Sequence, residues 1–311
     1  MRTEFGLIEK ISAMFPAPAG TKGIGDDCAV LQRGDGFDTL VSTDLLTEGI
    51  HFLRDRIPPR DLGWKAAAVN LSDIAAMGGT PVGTFLSLAL PKDCDDAFLD
   101  AFFQGYADAA EVYVTPLLGG DTCASAGALT LNVTVLGECP HGRALLRSSA
   151  RPGDLIYVTG NLGDSAAGLK AIIDRIPGSA GTRTLMRRHY HPIPRIAEGL
   201  ELAASEGAGA AMDLSDGLGS DLRHILKASG CGARIDVNAL PLSPELKHFC
   251  QETGADPLEL ALCGGEDYEL LFTLRPGTEP PVPCTAIGVI TAGCELVWEG
   301  TDRDFTGFRH F

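Results

Sequence analysis

Short runs of apolar and β-branched residues alternate in the first half of the chain with longer segments whose apolar positions recur at helical spacing. Thr39-Leu40-Val41-Ser42-Thr43 has strand composition and predicts a strand ending at Asp44, and 84–90 and 129–136 carry the same signal. Between the first two, Trp64, Ala67, Ala68, Leu71, Ile74 and Ala75 predict a helix over 64–77, stopped by Gly78-Gly79. Spacings of three and four residues then place Asn70, Asp73 and Met77 together on its opposite face. A second helix is predicted over about 96–113.

Turn residues Arg151-Pro152-Gly153-Asp154 introduce a strand at 155–158 and with it a second unit, so the chain divides into 1–148 and 149–311. Helical patterns follow at about 164–176, 193–205, 217–229 and 244–253, with strands at 268–274, 285–290 and 295–298. Residues 176–184, with Pro, Gly and Ser, read as a loop. Strands mixed with helices without strict βαβ alternation predict an α/β (α+β) architecture in two halves. One short echo, N-L-S-D at 70–73 and D-L-S-D at 213–216, is too brief to establish a duplication.

Bulk charge narrows the function. A length of 311 residues suits two domains, and a formal net charge of −16 argues against a general affinity for nucleic acid, whose binders present a basic face to phosphates. Cations are the expected companions. The start, M-R-T-E-F-G-L-I-E-K-I, lacks the apolar core of a secretory signal, and no run of eighteen apolar residues predicts a membrane span. Nine scattered cysteines without C-x-x-C spacing speak against a zinc site or a disulfide framework. A soluble protein of a reducing cytoplasm is the expectation.

Carboxylates are the candidate chemistry. Asp26 and Asp27 stand side by side in G-I-G-D-D-C-A-V, although two charges about 4 Å apart repel by roughly 1 kcal/mol in water and about 4 near a protein surface. Asp44, Asp73, Asp121, Asp213 and Asp216 recur at ends of apolar segments or beside glycines, as do Asp154 and Asp164. Each alone reads more readily as a cap or turn residue than as a ligand. Together with Ser42 and Thr43 they form a set of hard oxygen donors suited to Mg²⁺, and no EF-hand loop competes for that reading. Mg²⁺ held by few carboxylates shares its sphere with phosphates, which points to phosphoryl transfer. Neither G-x4-G-K-[ST] nor G-x-G-x-x-G is present, so a nucleotide must be held otherwise. Candidates are the backbone N–H groups of Gly119 and Gly120, Arg147 in L-L-R-S-S, and a helix N-terminus within Gly160–Gly168.

G-I-G-D-D-C-A-V, S-T-D-L-L-T-E-G-I-H-F, N-L-S-D-I-A-A-M-G-G, L-L-G-G-D-T, M-D-L-S-D-G-L and G-G-E-D-Y-E-L-L-F, in this order, resemble the thiamine-monophosphate kinase family, within the superfamily of aminoimidazole ribonucleotide synthetase and selenophosphate synthetase. The resemblance implies an N-terminal domain that binds ATP and metal and dimerises through its sheet, a C-terminal α/β domain, and ATP in the cleft between them. It implies several Mg²⁺ ions on Asp27, Ser42, Thr43, Asp44, Asp73, Asp121, Asp213 and Asp216, with Asp44, Asp73 and Asp121 acting catalytically through them. Nucleotide positions are matched by Gly120, Asp121, Arg147, Ser215 and Phe103, the last standing where members often carry Tyr and so lacking a hydroxyl. His51, Glu266 and Phe308 match positions around thiamine monophosphate; Asp26 receives no metal bond. The implied product is thiamine diphosphate, made by direct transfer in a cytoplasmic homodimer without nucleic-acid or membrane partners. Three rival functions compete with this one. Selenophosphate synthetase would need a reactive thiol, for which Cys28 lies too far inside its strand; aminoimidazole ribonucleotide synthetase and a non-catalytic nucleotide- or metal-binding module complete the set.

Overall fold

In the computed structural model, which describes residues 4–307, the first half forms α1 (Glu4–Met14), β1 (Thr21–Lys22), β2 (Ala29–Gln32), β3 (Phe37–Thr47), α2 (Pro59–Ala76), β4 (Thr80–Leu90), α3 (Asp96–Val112), β5 (Leu117–Ala124) and β6 (Thr130–Pro140). The strands build one sheet in the order β1-β2-β3-β6-β4-β5, antiparallel except for the parallel pair β4 and β5. Period-two alternation gives this sheet a covered and an open face. Leu40 and Leu46 of β3, Leu86 and Leu88 of β4, and Leu131, Val133 and Val135 of β6 are buried on the covered face. Ser42 and Asp44 share that face; Thr43 and Leu45 stand on the other.

The second half continues through a 3-10 turn (Arg147–Ser149) into β7 (Leu155–Val158), α4 (Asp164–Ile173), α5 (Ala180–Tyr190), α6 (Ile196–Ala204), β8 (Ala208–Asp213), α7 (Leu218–Ser229), β9 (Gly232–Asp236), α8 (Pro244–Thr253), α9 (Pro257–Cys263), β10 (Leu270–Leu274), β11 (Thr285–Thr291) and β12 (Leu296–Glu299). Its sheet runs β12-β9-β11-β7-β10-β8. Ile156, Val158, Met212 and Leu271 pack against Leu218, Leu222 and Ile225 of α7. The opposite face, through Tyr157, Ala211, Leu270 and Phe272, packs on Leu202 of α6 and on Ala75 and Ala76 of α2. Helix α2 therefore lies between the two sheets.

That position explains how α2 differs from its expectation. The helix is longer than 64–77, because Pro59 fits a first helical position, and its second face is not solvated. Asn70 and Met77 are fully buried against the first sheet, where Asn70 accepts the Asp44 N–H of β3 and Met77 packs with Leu40 and Val135, while Ala75 and Ala76 meet the second sheet. Strand β3 runs on through Asp44 to Thr47 rather than ending there, paired along its whole length with β6. The helix α5 occupies part of the segment read as a loop, starting where Ser179 accepts the Thr182 N–H. Leu117–Ala124, to which the sequence pattern assigns no element, is a strand; a Cβ at Gly120 would lie 1.7 Å from Leu86 O, so the close pairing with β4 demands glycine.

Helices α2 and α3 approach so closely that a Cβ on Gly105 would stand 1.7 Å from Arg60 O, and one on Gly63 1.9 Å from Phe102 O. Helix propensity alone favours Gly105→Ala by about 1 kcal/mol. The clash with rigid backbone opposes it by about 1–3 kcal/mol or more. We expect Gly105→Ala to lower the thermal midpoint of the protein, measured by calorimetry; an unchanged or raised midpoint would show that the two helices are free to separate.

Candidate active site

Five segments converge along α2 at the seam between the two sheets: the turn at 23–28, the middle of β3, α2 itself, the end of β8 with the loop after it, and 264–268. They border a cleft of about 840 Å³ whose walls include Thr43, Asp44, His51, Asp73, Asp213, Ser215, Asp216 and Glu266.

Asp26 and Asp27 turn apart. Asp26 accepts the Arg147 backbone N–H at 2.8 Å and pairs with Lys22 at 2.9 Å, tying the turn to the link between the halves. Asp27, its side chain almost wholly buried, is held at 2.6 Å by the Arg147 guanidinium. Its other neighbours are acids: one carboxylate oxygen each from Asp27, Asp73 and Asp213 lies within 4.8 Å of the other two. Ser42 donates to Asp73 at 2.5 Å, and Ser72 donates to Asp213 at 2.6 Å across the two halves. The two echoing tetrapeptides thus touch, through Ser72 and Asp213. Asn70, buried on α2, accepts the Asp44 N–H at 3.2 Å.

If all were ionised, each pair in this cluster would repel by on the order of 3 kcal/mol at the effective dielectric of a protein site. Burial, reinforced by the charge of Asp27, pushes the Asp44 carboxyl up to about 6 and Asp213 up to about 7. Burial, with Asp44 and Asp213 beside it, drives Asp73 well above the carboxylate range. Burial also raises Asp27 against the opposing charge of Arg147. The donors are carboxylates and hydroxyls, which fit a hard divalent cation such as Mg²⁺. Cys28 lies beneath them, 2% exposed, its thiol pushed well above its ordinary value by burial and by Asp73; it is no nucleophile.

The loop 264–268 meets the loop after β8 at unusually short range. A Cβ on Gly265 would fall 2.2 Å from Ser215 O, while Glu266 N–H donates to that same oxygen at 2.8 Å and Tyr268 N–H to Leu214 O at 2.9 Å. These bonds hold Glu266 at φ 65° and Tyr268 at φ 50°, a left-handed conformation that costs a non-glycine residue on the order of 1 kcal/mol or more. Glu266 faces the cleft with Lys65 Nζ at 2.8 Å and His189 Nδ1 at 3.3 Å. His51, whose Nδ1 accepts the Thr47 N–H at 3.0 Å, lines the same wall.

Not every expected residue joins this cleft. Asp121 lies on β5, directly in line across the sheet with Ser87, Asn132 and Leu45, and so on the open face, three strand spacings or about 14 Å from β3. Gly119 and Gly120 share that exposed edge strand, and Phe103 is exposed on α3, its ring edge-on to Phe102. The N-terminus of α4 is taken by Asp267, which accepts the N–H groups of Gly163 and Ser165, so the run Gly160–Gly168 already holds an internal carboxylate. Asp154 pairs with Arg275, and Asp164 accepts from Ser243; both brace the fold. Phe308 lies outside the described residues. Sequence reasoning missed Lys65, Asn70, Ser72, His189 and Asp221, the last wholly buried and accepting the Asp216 N–H at 3.1 Å.

The comparisons with known proteins agree with this architecture. Residues 25–139 match the N-terminal domain, and 151–298 the C-terminal domain, of the AIR synthase related proteins. Two such domains facing one another across an acidic cleft define the class. The chain is 47% identical to thiamine-monophosphate kinase of Salmonella typhimurium (strain LT2) over 93% of its own length and 91% of that protein. The solved structure of AaThiL complexed with AMPPCP and TMP matches it with a TM-score of 0.92 and 38% identity, covering 100% of this chain and 99% of that one. A solved thiamine-monophosphate kinase of Aquifex aeolicus gives a TM-score of 0.86 and 36% identity, covering 98% and 100%. This chain belongs to the thiamine-monophosphate kinase family.

Because the clustered carboxyls titrate higher in the folded chain than the ordinary Asp value near 4, the native state binds more protons than the unfolded one between about pH 4 and 7. That contribution to stability is full at low pH and is lost as pH rises through this window. We expect the metal-free protein to show a falling thermal midpoint from pH 5 to pH 8, and Mg²⁺ to restore it more at pH 8 than at pH 5. A Mg²⁺ effect that is equal at both, followed by scanning calorimetry with and without chelator, would contradict the protonated cluster.

Proposed function

We propose that this protein transfers the γ-phosphoryl group of ATP directly onto the phosphate of thiamine monophosphate, giving thiamine diphosphate and ADP. The observation that carries this reading is the meeting, in one cleft of a family member, of the acid cluster Asp27, Asp73 and Asp213 with the Glu266 and His51 wall. A phosphate monoester has its second pKa near 6, so the attacking oxygen is already anionic at neutral pH and no strong general base is needed. The difficulty lies in aligning two polyanions.

Divalent cations held by Asp27, Ser42, Thr43, Asp44, Asp73, Asp121, Asp213 and Asp216 would supply the charge neutralisation for both phosphate chains. Asn70 fixes the Asp44 backbone, Ser42 and Ser72 orient Asp73 and Asp213, and Arg147 keeps Asp27 in place. Arg147 is also the guanidinium available to a nucleotide phosphate, with Ser215 in the cleft, whereas Gly120 and Phe103, the other residues matched to the nucleotide, lie outside it. Glu266, His51 and Phe308 receive the thiamine end. With no nucleophilic side chain assigned, the transfer is a single in-line displacement and inverts a chiral γ-phosphorus.

The working unit is a homodimer in the cytoplasm, with the boundary between units at 148/149. Three exposed apolar residues, Leu45, Phe85 and Leu118, lie on or beside the open face of the first sheet, which also carries Asp121. Pairing of two such faces covers them and offers a route for Asp121 of one copy to approach Thr43 of the other. No helix among the described residues is long and apolar enough to cross a membrane.

The direct test is an assay of ATP consumption with and without thiamine monophosphate, the product identified by chromatography; ATP hydrolysis without acceptor phosphorylation would contradict the reading. Asp73→Asn should reduce turnover by roughly 10³-fold or more, since it removes charge stabilisation worth several kcal/mol, while raising the thermal midpoint of the metal-free protein at pH 8. Retained turnover would remove Asp73 from the site. Phe85→Asp should halve the mass found by light scattering and abolish turnover; a fully active monomer would contradict the shared site.

A further inference from the structure

Lys65 is a fully buried cation: 0% exposed, on α2 at the seam between the two sheets. Its Nζ stands 2.8 Å from Glu266 Oε1, yet it has no acceptor in hydrogen-bonding geometry among the described residues. A buried ammonium is costly unless an opposite charge accompanies it, so Lys65 and an ionised Glu266 require one another. Burial pushes the Glu266 carboxyl up, but the charge of Lys65 outweighs it and holds it below its ordinary value.

The second oxygen of Glu266 is engaged from a different element. His189 on α5 lies 3.3 Å away through Nδ1, which also stands 3.1 Å from Ser165 Oγ. Burial and the Lys65 charge hold this imidazole down to about 3, so it is neutral and adds no second cation. Glu266 is therefore gripped by α2 of the first half and α5 of the second, while its backbone is held in a left-handed conformation by the Ser215 oxygen. A side chain fixed at three points, with its backbone strained, and bordering the cleft is built for orientation.

We propose that Lys65 is a positioning residue: its buried ammonium keeps the Glu266 carboxylate ionised and aimed into the cleft, where it accepts a hydrogen bond from the amino-substituted heteroaromatic end of the phosphate acceptor. The inference rests on thiamine monophosphate being that acceptor. Lys65 does not touch the transferred group. Removing it should weaken use of the acceptor and leave the chemical step and the ATP site nearly intact.

The test is a double-mutant cycle of Lys65→Met and Glu266→Gln, with Lys65→Arg as the conservative variant. We expect K65M to raise KM for thiamine monophosphate at least tenfold, with kcat and KM for ATP within threefold, and K65R to recover most of the loss. In the E266Q background K65M should change KM by less than twofold, because Lys65 acts only through Glu266. Equal losses in both backgrounds, a fall in kcat at unchanged KM, or no rescue by K65R would overturn the proposal. Should K65M alone fail to fold, the double variant, which buries neither charge, is compared with E266Q by the same criterion. Thermal midpoints give the coupling without turnover: E266Q strands the buried ammonium and should lower the midpoint, and adding K65M should restore it. If the wild-type protein does not phosphorylate thiamine monophosphate, that failure falls on the proposed function, and the midpoint cycle still decides whether Lys65 holds Glu266; additive midpoints would show that it does not.

Discussion

Mutual repulsion among the carboxylates gathered at α2 is the constraint on which the rest of the molecule depends. Asp27, Asp73 and Asp213 come from three distant parts of the chain and meet within 4.8 Å, beside Asp44 and between two sheets where little water can screen them. Neutrality can come from protons, from the Arg147 guanidinium, or from bound cations, and serine hydroxyls orient what remains. Only cations leave all the acids ionised at neutral pH. A very acidic protein can thereby host acidic substrates, because the ions it gathers invert the local sign of the site.

Helix α2 makes that gathering possible. An interior helix has no solvent face on which to leave polar side chains, so each polar group on it must meet a partner or a ligand. Asn70 is spent on the Asp44 backbone and Ser72 on Asp213, whereas Asp73 faces other acids and Lys65 holds a strained glutamate. The Ser72 and Lys65 contacts cross between the two halves, so one helix fixes both the cation-binding acids and the Glu266 wall. The close helix-to-helix approach at Gly63 and Gly105 secures its other side against α3.

The sequence made much of this legible, and its failures have identifiable causes. Motif order carried the family, and the strands and helices with strong periodicity fall where expected, among them 155–158 and 244–253. Segments whose local composition conflicts with their tertiary role were missed: β5, to which the pattern assigns no element and whose glycines serve close strand pairing, and α5, which starts inside a Pro/Gly/Ser stretch. Asp73 and Asp213 were identifiable as candidates from their glycine-flanked or apolar settings. Lys65 and His189 were not, because a buried charge is defined by a partner far along the chain, or by packing that only the assembled fold creates. The location of Asp121 on the open sheet face follows from strand register, which a single chain's motif does not encode.

Exchange of protons for cations at the acid cluster is the central claim. Titration calorimetry of Mg²⁺ into the metal-free protein near pH 7, repeated in buffers of different ionisation enthalpy, reads that exchange directly. We expect an apparent binding enthalpy that varies with the buffer in the direction of net proton release, and a weaker variation once Asp213 is replaced by Asn. Binding heats independent of the buffer, or unchanged in the Asp213→Asn protein, would contradict the claim.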